Sequence, residues 1–364
     1  MKKKLISGFY KLGVKERVKI LNEMGIISCE ERCSLERQNQ ILSLNEADKM
    51  VENVIGVFGL PLAIASDFLV NDKNYFVPMV VEEPSVVAGV NNAAKIIKSS
   101  GGFKSELRNS LLVGQIQIRN LKDTAQAKKI LQQNKSNLIE KANELIPRLN
   151  ERGGGVKDID IREVNIQNRV DLVLHLHVNT ADAMGANLVN TICEGLSDAI
   201  EGMIAGNVGL KILSNYTDQS LVKVEIEIHP DLLEKNEFTG IEVRDGIINA
   251  CDFANADPYR AVTHNKGIMN GVDAVAIATG NDWRAIEAAA HAYASSTGRY
   301  KSLSNWDICD NGNLKGELLM PIKVGIVGGS LSANPASRMG LNITKVDSAT
   351  ELSELIGAVG LAQN

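Results

Sequence analysis

The chain has 364 residues, 44% hydrophobic and 23% charged, with a formal net charge of −5. That length accommodates two domains or one large one, and the acidic balance disfavours nucleic acid and anionic membrane as partners. No apolar run reaches the ~18–20 residues of a spanning helix, the apolar stretch behind Met1-Lys2-Lys3-Lys4 is too short for a signal peptide, and the odd, scattered set Cys29, Cys33, Cys193, Cys251 and Cys309 points to free thiols in a reducing, cytoplasmic setting.

Val14 to Met24 places apolar groups at helical spacing. Leu44 to Gly56 reads as a second amphipathic helix with Asn45 as N-cap. Tyr75 to Val81 reads as a strand, and Val86 to Ser99 as a helix stopped by Gly101-Gly102. From Leu111 the pattern changes. Strand Leu111–Ile118, a long helix from Asp123 to Ile146, strands Val156–Val164 and Asp171–Val178, helix Ala183–Ile204 and strand Leu210–Asn215 follow in turn. That β-α-β-β-α-β order is the ferredoxin-like split unit. It predicts a domain at 109–213 inserted into a larger mixed α/β domain made of 1–108 and 214–364, hence an α+β fold. Gly153-Gly154-Gly155 is the loop before the second strand of the unit. Downstream, Lys223–His229 alternates as a strand and Gly240–Ala256 is helical. Ala274–Thr279 reads as a small-residue strand, and Lys266 as lying in a loop before it. Asn281-Asp282 caps an alanine-rich helix, Ala285–Ser296, and Pro321–Val327 reads as a strand.

Chemistry concentrates in a few places. Glu82 and Glu83 sit side by side in the apolar run Val80-Val81-Glu82-Glu83-Pro84-Ser85-Val86. Burying a carboxylate is costly unless it is paired or protonated, and a carboxyl that holds its proton can act as a general acid. Equally, the two acids could flank a turn at Pro84 and face solvent. No GxGxxG follows a strand, which argues against a Rossmann site. Asp182 can cap a helix whose first turn holds Gly185, where backbone N–H groups could meet a phosphate. A lysine in an enclosed site, such as Lys266, can stabilise an oxyanion. His175 and His177 stand at i, i+2 on a strand with no third ligand evident, so a structural role is expected and no metal. His264 and His291 also read as packing residues.

Glu83, the run Asp182-Ala183-Met184-Gly185-Ala186-Asn187, the run from Asp257-Pro258 through His264-Asn265-Lys266-Gly267 to Asn270-Gly271, and Thr279-Gly280-Asn281-Asp282 recur in one order along the chain. With that order and spacing the chain resembles the bacterial type, class II, of 3-hydroxy-3-methylglutaryl-coenzyme A (HMG-CoA) reductase, from about Val51 to Asn364. The resemblance implies an NAD(P)H-dependent oxidoreductase of the mevalonate pathway of isoprenoid synthesis. It would take HMG-CoA to mevalonate and free CoA in two hydride steps. Carried over residue by residue, it implies Glu83, Lys266 and Asp282 as the catalytic acid, lysine and aspartate. Ser85 and Arg260 would receive the substrate carboxylate, and Asn270 would support the lysine. Asp182, Met184, Gly185 and Asn187, with Asn215 as a lesser candidate, would hold the nicotinamide cofactor. Family members that favour NADH place an aspartate seven residues before the first glycine of Gly153-Gly154-Gly155. Ile146 stands there in this chain, among basic Lys141, Arg148 and Arg152, so NADPH is expected over NADH. Glu52-Asn53-Val54-Ile55-Gly56 resembles the family's dimer motif, which implies a homodimer or higher oligomer with sites formed between protomers. In the family, Gly-Leu-Ala-Gln-Asn is followed by a flap whose histidine protonates the departing thiolate. A chain ending at Asn364 is therefore expected to be impaired. The alternative is a CoA-thioester-binding protein without turnover, which would have no need of Glu83, Lys266 and Asp282 together.

Overall fold

The computed structural model describes residues 8–364 except 38–40, 329, 330 and 332. Three short helices open the described chain: α1 (Val14–Glu23), α2 (Cys29–Glu36) and α3 (Leu44–Asp48). A bulged antiparallel hairpin follows, β1 (Leu62–Val70) and β2 (Lys73–Val80), then α4 (Val86–Ser99) and β3 (Lys104–Arg108). The middle of the chain forms β4 (Leu111–Arg119), α5 (Thr124–Gln133), α6 (Lys135–Glu144), α7 (Pro147–Asn150), β5 (Gly155–Ile166), β6 (Arg169–Asn179), α8 (Ala186–Gly195), α9 (Ser197–Glu201) and β7 (Asn207–Ser214). The remainder runs β8 (Leu221–Ile228), α10 (Gly240–Ala256), α11 (Pro258–Ala278), α12 (Trp283–Ala294), β9 (Ser304–Ile308), β10 (Leu314–Pro321), α13 (Pro335–Thr344) and α14 (Ala349–Gln363).

The middle strands make one antiparallel sheet in the order β5-β6-β4-β7. In the unit's own numbering this is 2-3-1-4, the ferredoxin-like order, so the α+β class and the split unit read from the sequence are both present. Alternation explains the sheet's two faces. Leu112, Ile116 and Ile118 of β4 and Leu172, Leu174 and Leu176 of β6 point to one side, under α5 to α9. His175 and His177 point to the other. There His175 Nε2 lies 2.8 Å from Gln115 Nε2, and His177 Nε2 lies 2.8 Å from Asp160 Oδ2.

A separate core gathers the hairpin, the antiparallel sheet β3-β8-β10-β9 and helices α4, α11 and α14. Helix α14 is buried on nearly every side, from Leu352 to Ala362, which its all-round apolar sequence requires. It crosses α11 where glycines leave room. A Cβ on Gly271 would lie 3.0 Å from the Val359 carbonyl oxygen, and one on Gly360 would lie 2.9 Å from Val272 Cγ2. Among the described residues no helix is long and apolar enough to cross a membrane.

Several sequence expectations are corrected. Ala274–Thr279 is not a strand but the end of α11, and Lys266 lies inside that helix rather than in a loop. A short apolar run cannot by itself separate a buried strand from a buried helix, and α11 is a core helix of 21 residues. The helix expected over Leu44–Gly56 stops at Asp48. Its N-cap is Ser43, not Asn45: Ser43 and Glu46 form a reciprocal capping box, with the Ser43 amide donating to Glu46 at 2.9 Å. Asp123–Ile146 breaks at Asn134, and Ala183–Ile204 begins only at Ala186 and breaks at Leu196. Residues 322–328 are not a strand; β10 ends at Pro321, and one isolated bridge, Val327 with Ala183, follows.

Candidate active site

Buried Val77 and Met79 anchor β2 and deliver the chain to the turn 82–85 at the protein surface. Glu82 and Glu83 are exposed there, so of the two readings of the acid pair the solvent-facing turn holds in the single chain. Ser85 takes a left-handed φ of 73°, uncommon for a residue with a Cβ, and is the N-cap of α4. Such strain is a frequent mark of functional turns.

Helix α11 is started by Asp257-Pro258. The Asp257 carboxylate accepts the Arg260 amide at 3.0 Å, and proline fills the first helical position without losing a hydrogen bond. Arg260 thus sits in the first turn. Lys266 follows nearly two turns later, with Asn270 one further turn along on the same face. The Lys266 Nζ donates to Glu83 Oε2 at 2.6 Å, with the two side chains 58% and 46% exposed. Two neighbours lock this part of the helix in place. Asn265, fully buried, accepts the Leu303 amide at 3.0 Å and donates to the Lys301 carbonyl at 2.9 Å. His264 lies 2.8 Å from both Ser304 Oγ and Asn364 Nδ2. Burial, aided by the nearby Arg260 charge, pushes its pKa down to about 4, so it is a neutral packing histidine, as expected.

Asp282 is the N-cap of α12, accepting the Ala285 amide at 3.0 Å, and is exposed. The structure therefore brings Glu83 and Lys266 into contact, whereas no ion pair within 4.0 Å joins Asp282 to Lys266 among the described residues. His291 pairs with Glu287 at 2.6 Å and bonds Tyr300 at 2.7 Å. That pairing raises the His291 pKa.

The second group of candidates lies at the end of β6. Gly185 has φ 96° and is the N-cap of α8; a Cβ there would fall 2.3 Å from Thr180 Cγ2, so only glycine fits. Asp182 is not the cap of this helix. Its Oδ1 accepts the Ala349 amide at 2.8 Å, at the start of α14. Met184 is half-buried and Asn187 exposed. The Leu213 amide donates to Asn190 at 2.9 Å, which sets the end of β7, and with it exposed Asn215, alongside the first turns of α8. First-turn amides with no intrahelical acceptor, flanked by Asn187 and Asn215, are groups that a phosphate can use.

Sequence reasoning read Asn281 only as part of the helix cap, which is Asp282 alone, and passed over Lys323; both are buried. Burial lowers the Lys323 pKa to about 8, although the Asp182 charge opposes the shift, and its Nζ lies 2.8 Å from Ser110 Oγ. The available signal was a lysine inside the apolar run Leu318-Leu319-Met320-Pro321-Ile322-Lys323-Val324.

Comparison with known proteins adds an independent line. The family profile described as hydroxymethylglutaryl-coenzyme A reductase matches residues 13–364. The 3-hydroxy-3-methylglutaryl-coenzyme A reductase of Archaeoglobus fulgidus is 46% identical over 359 residues, covering 99% of this chain and 80% of the relative. A Borreliella burgdorferi relative is 36% identical over 320 residues, covering 86% of this chain and 72% of its own. Among solved structures, the class II reductase from Streptococcus pneumoniae bound to NADPH in open conformations superimposes with a TM-score of 0.94 at 41% identity, covering 98% of this chain and 97% of that one.

Proposed function

The chain belongs to the hydroxymethylglutaryl-coenzyme A reductase family, and we infer that its site performs the two-step reduction of the HMG-CoA thioester to mevalonate and free CoA, consuming two NAD(P)H and two protons. It is an NAD(P)H-dependent oxidoreductase of the mevalonate pathway. The observation that carries the site assignment is the 2.6 Å contact between Lys266 and Glu83, contributed by two elements 183 residues apart in the chain. When bound, the nicotinamide supplies the hydride in each step. Lys266 then faces the carbonyl oxygen as it gains negative charge, and its ammonium stabilises that oxyanion. Collapse of the first adduct gives the aldehyde and the CoA thiolate, which takes up one proton to leave as free CoA; the second hydride gives an alkoxide, and Glu83, hydrogen-bonded to the lysine and acting in its protonated form, supplies the proton that makes it the alcohol. Asp282 is the family's third catalytic group. Arg260 offers a planar fork to the substrate carboxylate, with Ser85 at the same turn as Glu83 and Asn270 beside Lys266.

The cofactor reading rests on Asp182, Met184, Gly185 and Asn187, in the part of the chain, 109–213, with its own core, and on Asn215 just beyond it. We propose that this part binds cofactor, while 1–108 and 214–364 bind substrate and form a homodimer. NADPH is the favoured form. Ile146 is buried in the core at 7% exposure, so no carboxylate stands there to repel a 2′-phosphate, and Lys141, Arg148 and Arg152 are exposed nearby. Five free thiols fit a reducing, cytoplasmic location. The test is oxidation of NADPH and of NADH with HMG-CoA by the full-length protein. Mevalonate formation with a higher kcat/KM for NADPH is expected. Binding of HMG-CoA with no oxidation of either nucleotide would instead establish a thioester-binding protein.

A further inference from the structure

We propose that Asn281 is a positioning residue that, through Gly325, holds the cofactor motif and the catalytic aspartate in register. The inference rests on the reading of the site above. Asn281 is 7% exposed and immediately precedes Asp282. Each of its groups is engaged. The backbone amide donates to the Ala276 carbonyl at 2.8 Å, the side-chain Nδ2 donates to Thr279 Oγ1 at 3.1 Å, and Oδ1 accepts the Gly325 amide at 2.8 Å. Thr279 is itself fully buried and tied back to Val275 at 2.8 Å, so the side chain of Asn281 is fixed to the end of α11.

Gly325 in turn lies flat against the other motif. A Cβ on it would stand 2.3 Å from the Met184 amide nitrogen and 2.9 Å from the Ala183 carbonyl carbon. The next amide, Ile326, donates to the Asp182 carbonyl at 2.9 Å, and Val327 bridges Ala183. The result is one continuous path of backbone contacts and buried hydrogen bonds. It runs from Asp182-Ala183-Met184, across Gly325, into Asn281 and so to the cap of α12 at Asp282. Its two ends adjoin different cores, with Ala181 packed on the core of the middle unit and Ile286 in the larger one, and the Asp182 carboxylate adds a second tie to the larger core at Ala349. The hydride donor and the carboxylate must be placed together to a fraction of an ångström, so a rigid strut between them is a catalytic requirement as well as a packing feature.

Three variants of the full-length protein test this: Asn281→Leu, which removes the acceptor; Asn281→Asp, which keeps an oxygen at Oδ1; and Gly325→Ala, which forces the Met184 backbone away. Thermal melting, binary Kd values for NADPH and HMG-CoA, kcat, and the isotope effect on kcat with NADPH deuterated at the transferred position are measured for each. The strut predicts folded Asn281→Leu and Gly325→Ala with kcat lowered on the order of 10²-fold, HMG-CoA affinity within about 3-fold, and an isotope effect larger than the parent's. Asn281→Asp should recover most of the rate. A kcat within about 3-fold of the parent in both folded variants overturns the proposal. So does a change confined to the NADPH KM, which would make the segment a binding element only. Loss of folded protein in all three variants assigns the contact to stability and also overturns it. A parent that binds neither ligand removes the functional reading first, and the proposal with it.

Discussion

Replacing Lys266 by alanine separates catalysis from structure because the two effects differ widely in size. Its ion pair with Glu83 is short, 2.6 Å, but its side chains are 58% and 46% exposed. An exposed pair contributes only ~0–1 kcal/mol, since water screens the charges and ordering two long side chains costs entropy. Position 266 is also well inside a 21-residue helix, where alanine is the better helix former by a few tenths of a kcal/mol, roughly. The net effect on folding should be below ~1 kcal/mol. As an oxyanion donor, the same ammonium is expected to be worth ~10²–10³ in kcat, or about 2.7–4 kcal/mol of barrier. The assay is steady-state NADPH oxidation with HMG-CoA by the full-length protein, beside a urea or thermal melt. A kcat within a few-fold of the parent would refute the reasoning. So would a large loss of stability, since it would mean that Lys266 holds the fold together. Lys266→Arg is an informative companion, because arginine keeps the charge but spreads it over a planar fork, and it should remain well below the parent rate.

Glu83→Gln keeps the shape of the side chain and a hydrogen bond to Lys266 but cannot donate a carboxylic proton. Turnover should fall on the order of 10²-fold or more while binding of the acyl thioester persists; a variant that loses binding yet keeps its rate at saturation would make Glu83 a binding group. His264, neutral in the fold with its pKa lowered to about 4, gives a pH prediction. A depressed histidine contributes stability above its unfolded pKa of ~6.5, and that contribution is lost as pH falls through the window down to about 4. Between pH ~7 and ~4.5 the loss should be on the order of 2 kcal/mol. Urea unfolding at the two pH values should show that part of the acid lability missing from His264→Gln, and an identical pH dependence in both proteins would rule out His264 as its source.

The sequence made the middle of the fold legible because its elements announce themselves. Alternation in β4, β5 and β6 and the glycine loop at 153–155 mark out the split unit, although β7 begins at Asn207 rather than Leu210. The large core was harder for a physical reason. Helix α14 and the second half of α11 are buried nearly all round, so they carry no amphipathic stripe, and the Ala-Val run at 274–279 looks the same as a central strand. Strands β3 and β10 both pair with β8, far from each of them in the chain, and no local signal states which segments will pair. At the site, Glu83 and Lys266 could be singled out from motif order alone, but their contact could not, since it depends on how β2 and α11 pack. The role of Asp182 was misread for a similar reason. Any aspartate near a helix start suggests a cap, and only the tertiary fold shows that its carboxylate faces the first amide of α14 instead.

The exposure of the candidate catalytic groups leads to the remaining prediction, a homodimer. Oxyanion stabilisation by Lys266 is strong only where water is excluded, because a unit-charge interaction at ~4 Å falls from several kcal/mol in a protein-like medium to ~1 kcal/mol in bulk water. In the single chain Glu83, Lys266 and Asp282 are all exposed. Apolar side chains close to them in sequence are exposed as well. Tyr259 and Val262, in the first turns of α11, are 88% and 52% exposed, and Trp283 beside Asp282 is 38% exposed. The extended segment after α3 adds Ile55 and Phe58, at 101% and 91%. Burying one such side chain contributes ~1.5–3 kcal/mol, and a closed two-fold pair is the commonest way to cover such a surface. A second copy over these residues would dry the site as it forms the interface, so dimerisation and activity should be lost together. Ile55→Glu is expected to sediment as a folded monomer at micromolar concentration with little turnover. A parent chain that is monomeric under the same conditions and still active, or an Ile55→Glu variant that stays dimeric, would show that the exclusion of water is achieved in some other way.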